Sequence, residues 1–407
     1  MANTNLTCKV CGVVVPLTLA NHLIEVHGQT VSDYRKQFPG EAVYHESLLE
    51  KFQQDYMAKA RRGHPPKLDS LEVEIARIKF PVNIDVDESA CLPLPGHYRI
   101  PEFGGLGQDI QHAATSLKFG RSIYVWGLPG SGKDAFFHAF SYLTRTPAII
   151  KSVKPGSDIE AWFFTRAFNE TGTYWEEGEV LKALRDGYLT STGRRIPYMF
   201  LISDLDRADR AQAEHMRLIT DSIQGRIDGP AGKTYIVFPG TIIVATGNTA
   251  GSGDERGRMI SANPLDASIM ERFNARYQFR WLDWRDESEI VSAKFPTLFQ
   301  AIPNLSERIG NMTTALRDAI MNDDLYGEFS HRGLCSILEH AQDMLAILGN
   351  RKIPRTFLKQ AARAWVDGLP DEDSRQSAWK IMDPHFVTLD EGDTSHIDEE
   401  SSLDERF

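Results

Sequence analysis

Eight consecutive residues constrain this chain more than any others: Gly127-Leu128-Pro129-Gly130-Ser131-Gly132-Lys133-Asp134. The spacing G-x-x-x-x-G-K is that of a phosphate-binding loop. Before it, Ser122–Trp126 is short, apolar and rich in β-branched and aromatic residues, which predicts a buried strand. After it, Ala135–Phe140 continues as an amphipathic helix. Strand, glycine loop and helix in this order gather backbone N–H groups and a helix N-terminus around a phosphate. Gly127, Gly130 and Gly132 allow close backbone approach, and Lys133 reaches the β/γ-phosphates; Leu128, Pro129 and Ser131 are the remaining members of the loop. One position departs from the pattern. Ser or Thr normally follows the lysine and binds Mg²⁺ through its hydroxyl; here the residue is Asp134.

A chain of 407 residues predicts two to three domains. Its 42% apolar content suffices for a sizeable core. No apolar run approaches the length of a membrane span, and Met1–Asn5 lacks the basic and apolar regions of a secretion signal, so a soluble, cytoplasmic protein is expected. Net charge is −11, of which Asp390–Phe407 supplies a large part through eight acidic residues against Arg406 alone. Such a surface does not favour broad nucleic-acid binding. Lys59, Arg61, Arg62 and Lys67 form a local basic patch beside Gly63 and Pro65-Pro66, which reads as a solvated linker. Cys91 and Cys335 sit alone in apolar surroundings, as ordinary buried thiols do.

Cys8 and Cys11 differ. The pattern Cys8-x₂-Cys11-x₁₀-His22-x₄-His27 has near-standard zinc spacing. Two thiolates on a tight turn and two imidazoles on one helix face close a tetrahedron, with Leu19, Leu23 and Val26 expected as the small core. The run from His22 through Lys36 resembles zinc fingers of the Ros/MucR type, whose best-known members bind DNA. This copy is not basic: Lys9, Arg35 and Lys36 stand against Glu25, Asp33 and Glu41. A finger that neutralises few phosphates binds DNA weakly, which favours a protein-contact or targeting role over a nucleic-acid one.

The pattern along the chain gives residues 1–45 as the finger, 46–90 as a helix (Glu46–Arg62) and linker, 91–285 as an α/β core, 286–370 as a helical lid, and 371–407 as an acidic, unstructured tail. Core strands are predicted at Ser122–Trp126, Ala148–Val153, Tyr198–Ile202 and Thr241–Thr246.

The strand Tyr198–Ile202 ends in Ser203-Asp204-Leu205-Asp206-Arg207-Ala208. At this point the chain resembles AAA+ ATPases of the MoxR branch, and most of all the ATPase subunit of cobaltochelatase, the CobS type. In that family the Walker B strand ends in Asp-Glu-x-Asp. The resemblance runs over roughly residues 95–345 and implies further roles. Ile243–Asp254 is similar to the strand carrying the sensor-1 asparagine, here Asn248. Ile269–Phe273 is similar to the arginine-finger segment, here Arg272, and Phe329–Gly333 to the sensor-2 segment, here Arg332. Tyr174–Gly187 is similar to a hairpin-bearing insertion, in which Tyr174 and Trp175 are either hairpin core or substrate-gripping residues. The family implies ATP and Mg²⁺ as cofactors, a ring commonly of six subunits, and a partner with a von Willebrand factor A-type domain. Relatives of this type also occur in viral genomes.

Aligned to that family, Ser203 occupies the Walker B aspartate position, Asp204 the glutamate position and Asp134 the P-loop hydroxyl position. Singly, each change suggests damage. Together they read as an exchange, with Asp134 and Ser203 supplying one carboxylate and one hydroxyl to the same Mg²⁺ while Asp204 acts as the base. Three functions follow: an oligomeric remodelling ATPase, a zinc-finger-targeted nucleic-acid-associated ATPase, and a nucleotide-gated scaffold with little turnover.

Overall fold

The computed structural model describes residues 5–16, 18–29, 31–38, 41–43, 72–169, 172–212, 214–253, 262–349, 351 and 353–386. The helix expected at Glu46–Arg62, the basic linker and the acidic segment from Asp390 lie outside these residues. By contacts the chain divides into two units. One comprises Met1–Gly96, Asp109–Gly127 and Lys133–Phe279; the other comprises His97–Gln108, Leu128–Gly132 and Arg280–Phe407.

A five-stranded parallel sheet organises the first unit. Its strands, numbered along the chain, are β1 (Ile123–Trp126), β2 (Ala148–Ser152), β3 (Met199–Ser203), β4 (Ile242–Gly247) and β5 (Ala275–Gln278). Their order across the sheet is β5-β1-β4-β3-β2. Every residue of β3 is buried, as expected for a strand covered on both faces. Strand β5 was not foreseen. Arg276 and Gln278 are exposed and alternate with Ala275 and Tyr277, so an edge strand lacks the continuous apolar run of its neighbours. Helix Lys133–Thr144 buries Phe136, Phe137, Ala139 and Phe140.

A hairpin, Phe164–Asn169 paired with Gly172–Glu177, precedes β3 in the chain. Tyr174 and Trp175 are exposed on it, with the Arg166 guanidinium 4.9 Å from the Trp175 ring centroid. They are not core.

The second unit is helical. Helices Trp284–Lys294, Leu305–Met321, His331–Leu348, Phe357–Val366 and Glu372–Phe386 share one apolar core that includes Val291, Ile309, Leu316, Phe329, Leu338 and Ala361. The last helix corrects the expectation of an unstructured tail from 371. Ala378, Met382 and Phe386 give this acidic stretch a buried stripe at helical spacing. Inside the unit lies a fully buried carboxylate, Glu287. Arg317 donates to it from Nη1 at 2.6 Å and Nη2 at 3.0 Å, and His331 Nδ1 lies 2.9 Å from its Oε1. Burial disfavours the His331 imidazolium. Its hydrogen bonds to Cys335 and Glu287 outweigh that, and its pKa is raised to about 9.

His97–Gln108 and Leu128–Gly132 group with this unit although the sequence assigns them to the core. The backbone N–H of Phe103 donates to Asp286 at 2.9 Å, and the Trp281 indole donates to the Pro129 carbonyl at 3.3 Å. Gly130 adopts φ +72° against Ser330, where any Cβ would overlap the serine side chain.

Candidate functional site

The sheet order sets the site. Strand β4 lies between β1 and β3, so the carboxyl ends of these three strands stand side by side. That is where open α/β sheets present ligand-binding residues. Lys133 opens the helix that follows β1 and is buried. Its ammonium donates to the Gly127 carbonyl at 2.7 Å and to Asn248 Oδ1, just beyond β4, at 3.3 Å. Asp134, the next residue, accepts a 2.7 Å hydrogen bond from the Thr246 hydroxyl. The same hydroxyl accepts the backbone N–H of Asp204 at 3.3 Å. Thr246 therefore ties the helix residue to the end of β3.

Asp204 takes a left-handed backbone, φ 56° and ψ 44°. Few residues with a Cβ accept this, and aspartate is among those that do. Burial, then the nearby Asp134 carboxylate, holds its carboxyl above the usual carboxylate range, against the pull of Arg207 and Lys133. Ser203 is buried, and among the described residues its hydroxyl finds no hydrogen-bond partner. A buried, unsatisfied oxygen on the residue before Asp204, whose carboxyl feels the Asp134 charge, suits a hard cation such as Mg²⁺.

Asp206 and Thr246 belong to this site and were not singled out from the sequence. Asp206 is fully buried, and its Oδ2 accepts from Asn248 N at 2.7 Å, Thr249 N at 2.8 Å and Thr249 Oγ1 at 3.1 Å. It fixes the backbone that presents Asn248. Its position two residues beyond Asp204 was the available signal. Gly247 completes the arrangement, because a Cβ there would overlap the Tyr124 hydroxyl.

Lys133, Asp134, Ser203, Asp204 and Asn248 thus gather in one place. Arg272 belongs to the same unit but engages Asp221 and, at 3.0 Å, the Thr220 hydroxyl. Arg332 is exposed in the first turn of helix His331–Leu348, in the helical unit. The loop residues Leu128, Pro129, Gly130, Ser131 and Gly132 group with that unit too.

A second cluster lies at the N-terminus. The ligand atoms of Cys8, Cys11, His22 and His27 all fall within 4.8 Å of one another. Cys8 Sγ is 3.6 Å from His27 Nε2, and Cys11 Sγ is 3.1 Å from His22 Nε2. Tetrahedral zinc with ordinary bond lengths separates sulfur and nitrogen by about 3.5 Å, so the set fits that ion. Val26 is corrected: it is exposed. Leu19 and Leu23 are buried as expected, in a core completed by Cys8, Ala20, Val31, Tyr34 and Val43, while half-buried His27 faces the Cys8 sulfur.

No family model and no curated protein matches this chain. Distant likenesses exist among solved structures. The RuvB Holliday junction branch migration motor of Thermotoga maritima is 16% identical over 67% of this chain and 72% of that chain, with a TM-score of 0.40. A variant of RuvB from the same organism is 14% identical over 66% and 71%, with a TM-score of 0.41. A candidate ATPase of Cytophaga hutchinsonii is 12% identical over 83% and 97%, with a TM-score of 0.33. The chain's own residues, rather than these likenesses, carry the functional reading.

Proposed function

We propose that this chain is an ATP-binding, Mg²⁺-dependent AAA+ ATPase of the MoxR/CobS type, acting as an oligomeric remodelling motor on a partner protein with a von Willebrand A-type domain. One observation carries the reading: Lys133, Asp134, Ser203, Asp204 and Asn248 converge at the carboxyl ends of β1, β3 and β4. Residues Gly127–Asp134 bind the nucleotide, and Lys133 contacts the β/γ-phosphates. Asp134 and Ser203 are the residues that would hold Mg²⁺, which when bound neutralises charge on the phosphates. Asp204 orients and deprotonates the lytic water, and Asn248 positions it. Arg272 acts on nucleotide bound by a neighbouring copy. Arg332 reports nucleotide state.

The ligand exchange is tested with Asp134→Ser, Ser203→Asp and the double variant. Each single change should lower ATP turnover by roughly tenfold or more, a loss of about 1.4 kcal/mol in transition-state stabilisation, and the double change should recover part of it. A double variant no better than the worse single variant would sink the exchange. Tight ATP binding without phosphate release would instead mark a scaffold.

Cys8, Cys11, His22 and His27 bind one structural zinc, and the finger contacts protein. Exposed Val10, Val13, Val14 and Val26 support contact with an apolar protein surface. Cys8→Ser should remove one equivalent of zinc by metal analysis. Salt-dependent retention on DNA that disappears in Cys8→Ser would assign the finger to nucleic acid instead.

A further inference from the structure

Two arginines of this chain are held by carboxylates in different ways. Arg317 grips Glu287 with both Nη atoms, in a pair whose side chains are 9% and 0% exposed. Arg272 uses Nη1 for both of its contacts, to the Asp221 carboxylate and to Thr220 Oγ1, and the two side chains of its ion pair are 26% and 24% exposed. The first is the two-pronged arrangement that makes arginine–carboxylate pairs strong. The second is single-pronged and reached by water, so a competing anion can displace it.

The backbone on either side of this pair is fixed by other contacts. Thr220 and Asp221 lie on helix Met216–Ile223, which buries Met216 and Ile219. Arg272 follows helix Ala267–Met270 and precedes buried Phe273. Met216, Ile219, Ile269, Met270 and Phe273 belong to one apolar cluster. Freeing the guanidinium therefore requires rotation of one long side chain and no rearrangement of the core.

We propose that Asp221 and Thr220 form an in-subunit holder for Arg272, from which the arginine must be displaced before it can serve the nucleotide of a second copy of this chain. The inference rests on the reading of Arg272 as an inter-subunit residue. A polyphosphate carries more charge than one carboxylate and accepts two-pronged arginine contacts, so it outcompetes Asp221 once a neighbour presents it. The holder keeps the guanidinium satisfied in the isolated subunit and couples its release to assembly. Asp221 is here a positioning residue, acting through Arg272.

The test is ATP turnover measured against protein concentration for the full chain. Asp221→Asn should lower the concentration giving half-maximal turnover by about three- to tenfold, because a larger fraction of subunits has the arginine available. The plateau should stay unchanged. Thr220→Val, which keeps the carboxylate, should shift the curve in the same direction by a smaller factor. Arg272→Ala should abolish the plateau while ATP binding persists, and Asp221→Asn added to it should change nothing. If Arg272→Ala is inactive but Asp221→Asn leaves the curve in place or moves it to higher concentration, the holder is wrong and the arginine's role stands. If Arg272→Ala turns over normally, that role and the holder fall together.

Discussion

Asp206 and Glu287 are both carboxylates with no exposed surface, one in each unit, and their donors are of opposite kinds; on Asp206 they all reach Oδ2, while Oδ1 has no partner among the described residues. Asp206 receives two backbone N–H groups and a hydroxyl, all neutral. Glu287 receives a guanidinium and an imidazole. Neutral donors leave the negative charge of Asp206 felt by its surroundings, and it contributes to raising the Asp204 carboxyl. Cations cancel the charge of Glu287 locally, and with burial opposing them, His331 and Arg317 hold its pKa below the ordinary value. The first arrangement suits a site whose field must be set. The second suits a staple joining helices Trp284–Lys294, Leu305–Met321 and His331–Leu348.

Of the two carboxylates, Glu287 should be the costlier to neutralise. Glu287→Gln strands the buried Arg317 guanidinium and takes from His331 one of the partners that favour its charge, and the helical unit should lose about 3–5 kcal/mol in urea unfolding. A loss under about 1 kcal/mol would mean that the staple is ornamental. The same cluster makes stability depend on pH. Because the folded pKa of His331 is raised to about 9, its contribution is complete below the unfolded value near 6.5 and disappears as pH rises through about 9. That contribution is at most about 3 kcal/mol, and His331→Asn should flatten this part of the pH–stability curve. Asp206→Asn should cost less, about 1–3 kcal/mol, because its acceptor oxygen can keep the neutral donors while its amide nitrogen is left buried. Its mark should fall on ATP turnover, with the titration of His331 unmoved. A shift in that titration would show that the two carboxylates are not independent.

Much of the site was legible because it is written in short-range order. Strand, glycine loop, Lys133 and Asp134 are contiguous, and Ser203-Asp204 ends an apolar run. Thr246 was hidden because its partners, Asp134 and Asp204, come from two other elements and meet it only once β3 and β4 pair in register. Strand β5 and helix Glu372–Phe386 were missed for a related reason. Each buries few side chains, so its pattern is dominated by residues facing water. Val26 was misplaced because the inward side of the helix continues from Leu23 at i+4, through the ligand His27, and not at i+3.

The left-handed backbone at Asp204 bears on which acidic residue this position accepts. A longer acidic side chain at 204 would meet a backbone conformation that costs most residues with a Cβ about 1–2 kcal/mol and that aspartate tolerates best. It would also carry its carboxyl one methylene further from the position where Asp134 now acts on it. Glutamate at 204 would therefore gain neither backbone stability nor a better position for its carboxyl, so the shape of this one turn favours the shorter acid.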